Sequence, residues 1–309
     1  MLTVLKGRIM TEESHTGDIE DLPTQNESFE DLQAQSTPQE ITPAVAPPTR
    51  KTQPDTELFL APKDMVTLPS LGKVYPIDSA VHGVEQVEVR HLTAADEDIL
   101  TSRSLLRTGK AIDTLLANCL VDKAINPEEL LSGDKNAILT YLRVSGYGPE
   151  YNVEIGCPGC GEDVKHVFDM STLEMNPLAL DPITEGDNRF DFPLPSGDLV
   201  EFKFLNSAEE KQISDAQEKI KKATNSPIDK NITTRLKHQI ISVNGEADLG
   251  FISKYVDAMP VRDSRAFRKY LELHDPDVIM KQDFECPHCG TSQEVDIPIT
   301  VSFFWPDAE

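Results

Sequence analysis

The chain has 309 residues, enough for two modest domains with a sizeable core, and its formal net charge at pH 7 is −24. Such an acidic surface repels a phosphate backbone, which argues against general nucleic-acid binding. No stretch approaches the roughly 18 consecutive apolar residues of a membrane span, and the first residues lack the pattern of a signal peptide, so we expect no membrane partner.

Residues 11–57 have a composition unlike that of the rest of the chain. They contain 11 Asp or Glu and 6 Pro against 2 Lys or Arg, and Phe29 is their one aromatic residue. Such a segment cannot bury enough apolar surface to offset the entropy lost on ordering. We therefore predict a disordered acidic tail over residues 1–60.

A first module is predicted over residues 66–175. Its first predicted element is a strand over residues 84–92, which alternate between apolar and polar side chains as a half-buried strand does. Thr93 then caps a helix whose first turn carries Asp96 and Glu97, where carboxylates suit the helix dipole. The remaining predicted elements are helices over 111–121 and 134–144 and strands over 151–155 and 164–168.

After a linker over residues 176–189, a second module with the same order of elements is predicted over residues 190–306. Its helix capped by Ser207 again begins with two carboxylates, Glu209 and Glu210, so we interpret both acidic pairs as helix starts and not as catalytic groups. The elements predicted here are a strand over 199–205, a helix from 207 through 222, helices over 229–242, 251–259 and 263–273, a turn at 244–245 and a last strand over 294–304.

Two Cys-x-x-Cys tetrads, each followed by a glycine, are the strongest chemical signal in the chain. The first tetrad supplies Cys157 and Cys160, and the second supplies Cys286 and Cys289. This spacing lets both sulfurs of a tight turn reach one metal, and four thiolates complete the tetrahedral shell of a structural Zn²⁺. We therefore predict these four residues as ligands of one zinc ion per chain.

The sequence around the tetrads is repeated as well. Both cysteines of the second tetrad stand at an offset of 129 from their counterparts in the first, and a block upstream repeats at an offset of 113. The matched blocks are 68–70 with 194–196, 87–97 with 200–210, and the helix containing Asp134 with the helix containing Asp263. Three blocks in the same order predict an internal duplication. The predicted fold class is thus α+β, with two duplicated helical and β modules joined by a divided four-Cys zinc ribbon.

Other uses of the cysteines stay open. Each tetrad could hold its own metal, with His166 completing one shell and His288 the other, or the thiols could be free or paired as disulfides. We favour the shared site because neither histidine is repeated in the other module. The fifth cysteine, Cys119, shares a helical face with Leu115 and Leu116 and is predicted to be a buried small hydrophobic residue.

We predict that the chain is not an enzyme and has no catalytic residue. Four thiolates leave no open position on the metal for a substrate or water. Ser264 has no base suggested near it, and the lysines at 219, 221 and 222 are interpreted as a solvated helix face. The aromatic run Phe303-Phe304-Trp305 is interpreted as core packing, with an exposed anchor for a partner as the alternative.

Several stretches resemble a family of tailed-phage proteins grouped with the T4-type baseplate hub assembly protein. The stretches are 68–70, 72–76, 93–101, 130–139, 143–147, 259–265 and 303–306, so the resemblance spans about 66–306 and excludes the tail. It implies a structural or chaperone-like protein that helps to build the baseplate central hub of a contractile-tailed bacteriophage. The implied partners are other phage tail proteins, and the implied locations are the host cytoplasm during assembly and the virion tail.

Two functions of other classes compete with this interpretation. A zinc-ribbon adaptor of transcription or replication machinery would need a basic or aromatic nucleic-acid face, which the net charge of −24 disfavours. A zinc-dependent hydrolase would need an open coordination position, which a fourth thiolate removes.

Overall fold

The computed structural model describes residues 61–224, 231–297 and 303–304, with side chains omitted for 220–224. All of these residues belong to the compact unit Pro54–Glu309. The acidic tail predicted over 1–60, the side chains of Lys221 and Lys222, and Trp305 lie outside the described residues.

Helices and short strands alternate along the described chain, so the predicted mixture of both is confirmed. The strands are β1 Lys63–Thr67, β2 Gln86–Arg90, β3 Glu150–Gly156, β4 Asp163–Asp169, β5 Met175–Asn176, β6 Phe190–Pro193, β7 Leu199–Phe202, β8 Ile240–Val243, β9 Asp277–Val278, β10 Lys281–Glu285 and β11 Ser292–Asp296. The helices are α1 Ala94–Thr101, α2 Arg103–Thr108, α3 Ala111–Cys119, α4 Ser132–Tyr147, α5 Ser207–Thr224, α6 Asn231–Gln239, α7 Leu249–Ala258 and α8 Val261–His274.

The strands form small antiparallel sheets. β1 pairs with β2, β3 with β4, β5 with β9 and β10 with β11, while β6, β7 and β8 form one sheet in that order. The pairs β3–β4 and β10–β11 are hairpins, and each carries one of the two cysteine tetrads in its connection.

The first predicted helix begins as the sequence indicates. The side chain of Thr93 accepts a hydrogen bond from the backbone of Asp96, and the Asp96 carboxylate accepts one from the Thr93 amide at 2.9 Å. This reciprocal capping satisfies two amide donors that the helix itself leaves free. The prediction of an acidic helix start at this point is confirmed.

Two local predictions are wrong. Residues 240–242, predicted as the end of the helix over 229–242, belong to strand β8, because Ile240, Ile241 and Val243 are β-branched and β7 offers them a pairing edge. The cap of α5 is Asn206 and not Ser207, since the Asn206 side chain accepts from the Glu209 amide at 2.9 Å. The last strand ends at Asp296, and residues 298–302 lie outside the described part.

One hydrophobic core runs through both halves of the compact unit. It joins Leu68, Leu142 and Tyr151 of the first half to Phe202 and Phe267 of the second. Cys119 also lies in this core and is fully buried, which confirms the predicted role of that residue. Among the described helices, none is long and apolar enough to cross a membrane.

Candidate metal centre

The first cysteine tetrad lies in a tight loop at the end of the β3–β4 hairpin. The Cys157 amide donates to the Glu162 carbonyl at 2.8 Å, and the Gly161 amide donates to the Cys157 carbonyl at 2.7 Å. Gly161 has φ 77°, a left-handed conformation that a residue with a Cβ adopts only with strain. The loop therefore presents Cys157 and Cys160 on the same side.

The second tetrad repeats this geometry in the β10–β11 hairpin. The Cys286 amide donates to the Thr291 carbonyl at 2.9 Å, and the Gly290 amide donates to the Cys286 carbonyl at 2.9 Å. Gly290 is left-handed as well, with φ 70°. Every residue in these bonds stands at the same offset from its counterpart in the first hairpin as the cysteines do.

The two loops face each other and bring four sulfur atoms together. The candidate ligand atoms of Cys157, Cys160, Cys286 and Cys289 all lie within 4.8 Å of one another. Between the hairpins, the Sγ atoms of Cys157 and Cys289 are 3.7 Å apart and those of Cys160 and Cys286 are 3.9 Å apart. A tetrahedral ion with Zn–S bonds of about 2.3 Å places its sulfurs about 3.8 Å apart, so the donor set fits such an ion.

The surroundings of the sulfurs favour a thiolate at Cys289 and a thiol at Cys160, as the pKa values of the two groups show. The Thr291 hydroxyl and amide donate to Cys289 and lower its pKa to about 6. The Glu162 amide lowers the pKa of Cys160, but the partial loss of hydration beside the other loop and the hydrogen bonds with the three neighbouring thiols raise it more, to about 12. Four thiolates this close repel one another, and a bound cation removes that repulsion.

The group is half inside and half outside a small apolar cluster. Cys157 and Cys286 are buried with Val164 and Phe284, while Cys160 and Cys289 are exposed. The close approach of the loops depends on Gly159, since a Cβ there would lie 2.3 Å from the Thr291 hydroxyl oxygen.

Neither histidine considered as an alternative ligand joins the sulfurs in the part of the chain that the structure describes. The His166 ring packs edge-on between Phe168 and Phe284, with centroids 4.7 and 5.3 Å away. His288 is exposed in the second loop. The one group of possible metal ligands found among the described residues consists of the four tetrad cysteines.

The acidic pairs at the starts of α1 and α5 are held by structural contacts. Arg90 binds both oxygens of Asp96 at 2.6 and 2.8 Å, and Lys203 forms an ion pair with Glu209. Glu210 forms an ion pair with Arg235 at 2.5 Å. These contacts agree with the interpretation of both pairs as helix starts.

A buried carboxylate near the start of α4 was not predicted as a site. Asp134 accepts hydrogen bonds from the Ser70 amide at 2.9 Å, the Ser70 hydroxyl at 2.6 Å and the Tyr75 hydroxyl. Burial raises the pKa of Asp134, and the hydrogen bonds oppose that rise. The Leu-Pro-Ser block ending at Ser70 was the one sequence signal for this contact. No pattern in the sequence indicates that Asp134 is the partner of Ser70.

The matched position in α8 is held more loosely. Asp263 is buried and accepts one hydrogen bond, from the Ser196 amide at 3.1 Å. Its Oδ2 atom has no partner within the described residues. Ser264 beside it is half-buried, and no described base reaches it.

Phe303 and Phe304 near the end of the chain are both buried. The Phe303 ring packs edge-on against Tyr151 with centroids 5.5 Å apart. The interpretation of this aromatic run as core packing is thus confirmed for these two residues.

The comparisons with known proteins assign the chain to a family. Neither the curated proteins nor the solved structures contain a significant match to it. A family model described as T4 bacteriophage base plate protein matches residues 62–305, which is most of the chain. The chain therefore belongs to the family of T4-type bacteriophage base plate proteins.

Proposed function

We propose that the chain is a non-enzymatic structural or assembly protein, chaperone-like in action, which helps to build the central hub of the baseplate in a contractile-tailed bacteriophage. The observation that carries the proposal is the family match over residues 62–305, which spans nearly all of the described fold. The protein acts through contacts with other tail proteins. It works in the host cytoplasm during assembly and is retained in the virion tail.

The proposed cofactor is one structural Zn²⁺ bound by Cys157, Cys160, Cys286 and Cys289. The sulfur spacing of 3.7 and 3.9 Å between the hairpins supports this assignment. A four-sulfur shell has no open position, which supports a role without catalysis. Binding to the folded state would add directly to stability, so the ion would hold the two hairpins together.

We further propose that the chain is an internal duplication, with modules over 66–175 and 190–306 and a linker over 176–189. Helices α4 and α8 support it, since their first residues stand at the same offset as the tetrads. The capping contacts of Thr93 with Asp96 and of Asn206 with Glu209 support it at the second offset, 113. In this arrangement the zinc lies on a pseudo-twofold axis between the hairpins, as a divided zinc ribbon.

Native mass spectrometry of the purified full chain, with and without a strong chelator, tests the metal site. We expect one zinc ion per chain, and we expect Cys157→Ser or Cys286→Ser to abolish it. The matched control is Cys119→Ala, a change at a buried cysteine outside the tetrads, which should keep the ion. Two ions per chain, or one that survives loss of Cys157, would contradict the shared site.

Deletion of the gene from the encoding phage tests the assembly role. We expect tails to be absent and baseplate intermediates to lack their centre, with recovery when the chain is supplied from a plasmid. Mass spectrometry of purified particles then decides whether the protein is retained. Normal particles from the deletion strain would overturn the proposed function.

A further inference from the structure

The outward face of α8 carries an unusual concentration of positive charge. Arg262, Arg265, Arg268 and Lys269 are all exposed, and the helical period places them on one side of the helix. None of the four forms an ion pair or hydrogen bond with another described residue. The acid on this face, Glu272, pairs with Lys281 at 3.6 Å. This occurs in a chain whose formal net charge is −24.

The spacing of these residues distinguishes the face from an ordinary solvated surface. Arg262, Arg265 and Arg268 follow one another at intervals of three, a spacing at which like charges destabilise a helix by about 0.2–0.5 kcal/mol per pair. A solvated helix face normally mixes both signs, which relieves this repulsion. The arrangement therefore suits a face that meets negative charge from outside.

Exposed apolar side chains lie at both ends of the basic face. Val261 is 80% exposed at the start of α8, and Leu273 is 62% exposed near its end. The adjoining groove of about 690 Å³ is lined by five carboxylates, so the basic face of α8, and not the groove, suits an acidic ligand. Arginine is enriched at protein interfaces, and the exposed apolar side chains beside it add contact area.

The matched face of α4 shows what such a face can bind. Gly133, which matches Arg262, lies so close to the next segment that a Cβ would be 1.8 Å from the Pro276 carbonyl oxygen. Asn136, which matches Arg265, donates to both carboxylate oxygens of Asp277 at 3.1 Å. An acidic extended segment of the same chain, 275–277, thus covers α4.

We propose that the outward face of α8 is a docking surface for an acidic, extended segment of a partner protein. Unlike segment 275–277 on α4, this segment is held by side-chain ion pairs and not by close backbone approach, because Arg262 has a Cβ where Gly133 has none. Arg265 takes the place of Asn136, and a guanidinium binds a carboxylate through two charge-assisted hydrogen bonds. Val261 and Leu273 contact apolar residues flanking the acids. The identity of the partner as another baseplate protein rests on the proposed function.

The first experiment measures binding of the full chain to each purified baseplate protein of the same phage, by biolayer interferometry at several salt concentrations. The test variant is Arg262→Glu/Arg265→Glu/Arg268→Glu, which changes exposed side chains only, and its circular dichroism and urea midpoint are compared with those of the wild type to verify the fold. The control is Arg103→Glu/Arg107→Glu/Lys110→Glu, with the same change of charge on other exposed cations. We expect the test variant to weaken binding at least about tenfold and to reduce its salt dependence.

The second experiment is independent of the partner's identity. Its probe is a labelled peptide with the sequence of residues 273–279, whose binding to the full chain is followed by the NMR shifts of α8 amides. We expect shifts in the wild type and in the control triple variant but none in the test variant.

The outcomes distinguish a failure of the proposed docking surface on α8 from a failure of the proposed assembly function. If the wild type binds a baseplate protein and both triple variants bind equally well, or lose binding equally, the docking surface is wrong and the proposed function stands. If the wild type binds none of them, the proposed function fails, and the peptide alone decides the surface. If the peptide binds only after residues 1–57 are deleted, the acidic occupant belongs to this chain, and the proposal of a partner segment is overturned.

Discussion

Helices α4 and α8 begin 129 residues apart, the offset that also separates the two cysteine tetrads, yet their surroundings differ. α4 is covered by segment 275–277, and its buried Asp134 receives three hydrogen bonds. The outward face of α8 is exposed, and its buried Asp263 receives one hydrogen bond within the described residues. Similar sequence at this offset thus gives a helix in both places, while the segments packed against each helix decide how tightly it is held.

The largest difference between the helices should appear at Gly133 and Arg262. Gly133→Ala places a methyl group against the Pro276 backbone, which cannot move aside without shifting α4 or β9. We expect a loss of about 3 kcal/mol or more in the free energy of unfolding, measured by urea denaturation. Arg262→Ala, at the exposed matched position, should change it by less than about 0.5 kcal/mol. Equal losses in the free energy of unfolding for Gly133→Ala and Arg262→Ala would contradict the difference between the two helices.

The two buried carboxylates should differ by a smaller amount. Asp134→Ala leaves the Ser70 and Tyr75 hydroxyls without their acceptor and opens a cavity, so we expect a loss of about 3 kcal/mol. Asp263→Ala removes one acceptor together with an oxygen that has no described partner, and should cost about 1 kcal/mol. Urea denaturation of both variants measures the difference, and a costlier Asp263 variant would reverse the comparison.

The capping contacts of Asp96 at the start of α1 and of Glu209 at the start of α5 provide a third comparison. Burial raises the pKa of Asp96, but hydrogen bonds from Arg90 and Thr93 outweigh it and hold that pKa well below its usual range. The pKa of Asp96 is lower in the folded state than in the unfolded state. The contribution of its carboxylate to the free energy of unfolding is therefore complete above the unfolded pKa and is lost as the pH falls through the folded pKa. We expect Asp96→Ala to cost about 2 kcal/mol at neutral pH and Glu209→Ala about 1 kcal/mol, because the latter ion pair is more exposed. Thermal unfolding at neutral and acidic pH measures both; the Asp96 effect should shrink in acid.

The smallest effect concerns the acidic segment over α4. Burial and the charge of Asp277 raise the pKa of Asp275 to about 7. The pKa of Asp275 is higher in the folded state than in the unfolded state, so protonation of this carboxyl favours folding. The contribution of the protonated carboxyl to the free energy of unfolding is complete below the unfolded pKa of about 3.9 and is lost as the pH rises through about 7. Asp275→Asn should therefore stabilise the protein at about pH 8 by about 1 kcal/mol relative to wild type, a value reduced because the residue is half-buried.

The measurement for Asp275 is urea denaturation at about pH 5 and about pH 8. The control is Asp283→Asn, a change at an exposed carboxylate that should leave the pH dependence as it is in the wild type. If the free energy of unfolding of Asp275→Asn has the same pH dependence as that of the wild type, ionisation of Asp275 does not destabilise segment 275–277.

Much of the fold was predictable because its signals are local. Thr93 and Asp96 stand at the spacing that a capping box requires, and the helix begins there. The glycines after each tetrad give the left-handed residue that the loop needs, so Cys157 with Cys160, and Cys286 with Cys289, could be paired from sequence. The equal offset of the tetrads then predicted that all four sulfurs would meet, as the geometry bears out.

Other features depend on contacts between distant residues, which no local pattern encodes. Residues 240–243 follow a helical segment without a break, and only the open edge of β7 makes them a strand. The three donors to Asp134 come from 59 or more residues away in the chain. Likewise, the sequence determined that α4 and α8 would form, with their starts predicted two residues late at 134 and 263, whereas the tertiary structure decided that one is covered and the other exposed. The physical reason is that helix starts are set by neighbouring residues, while burial is set by whichever segment packs against the finished helix.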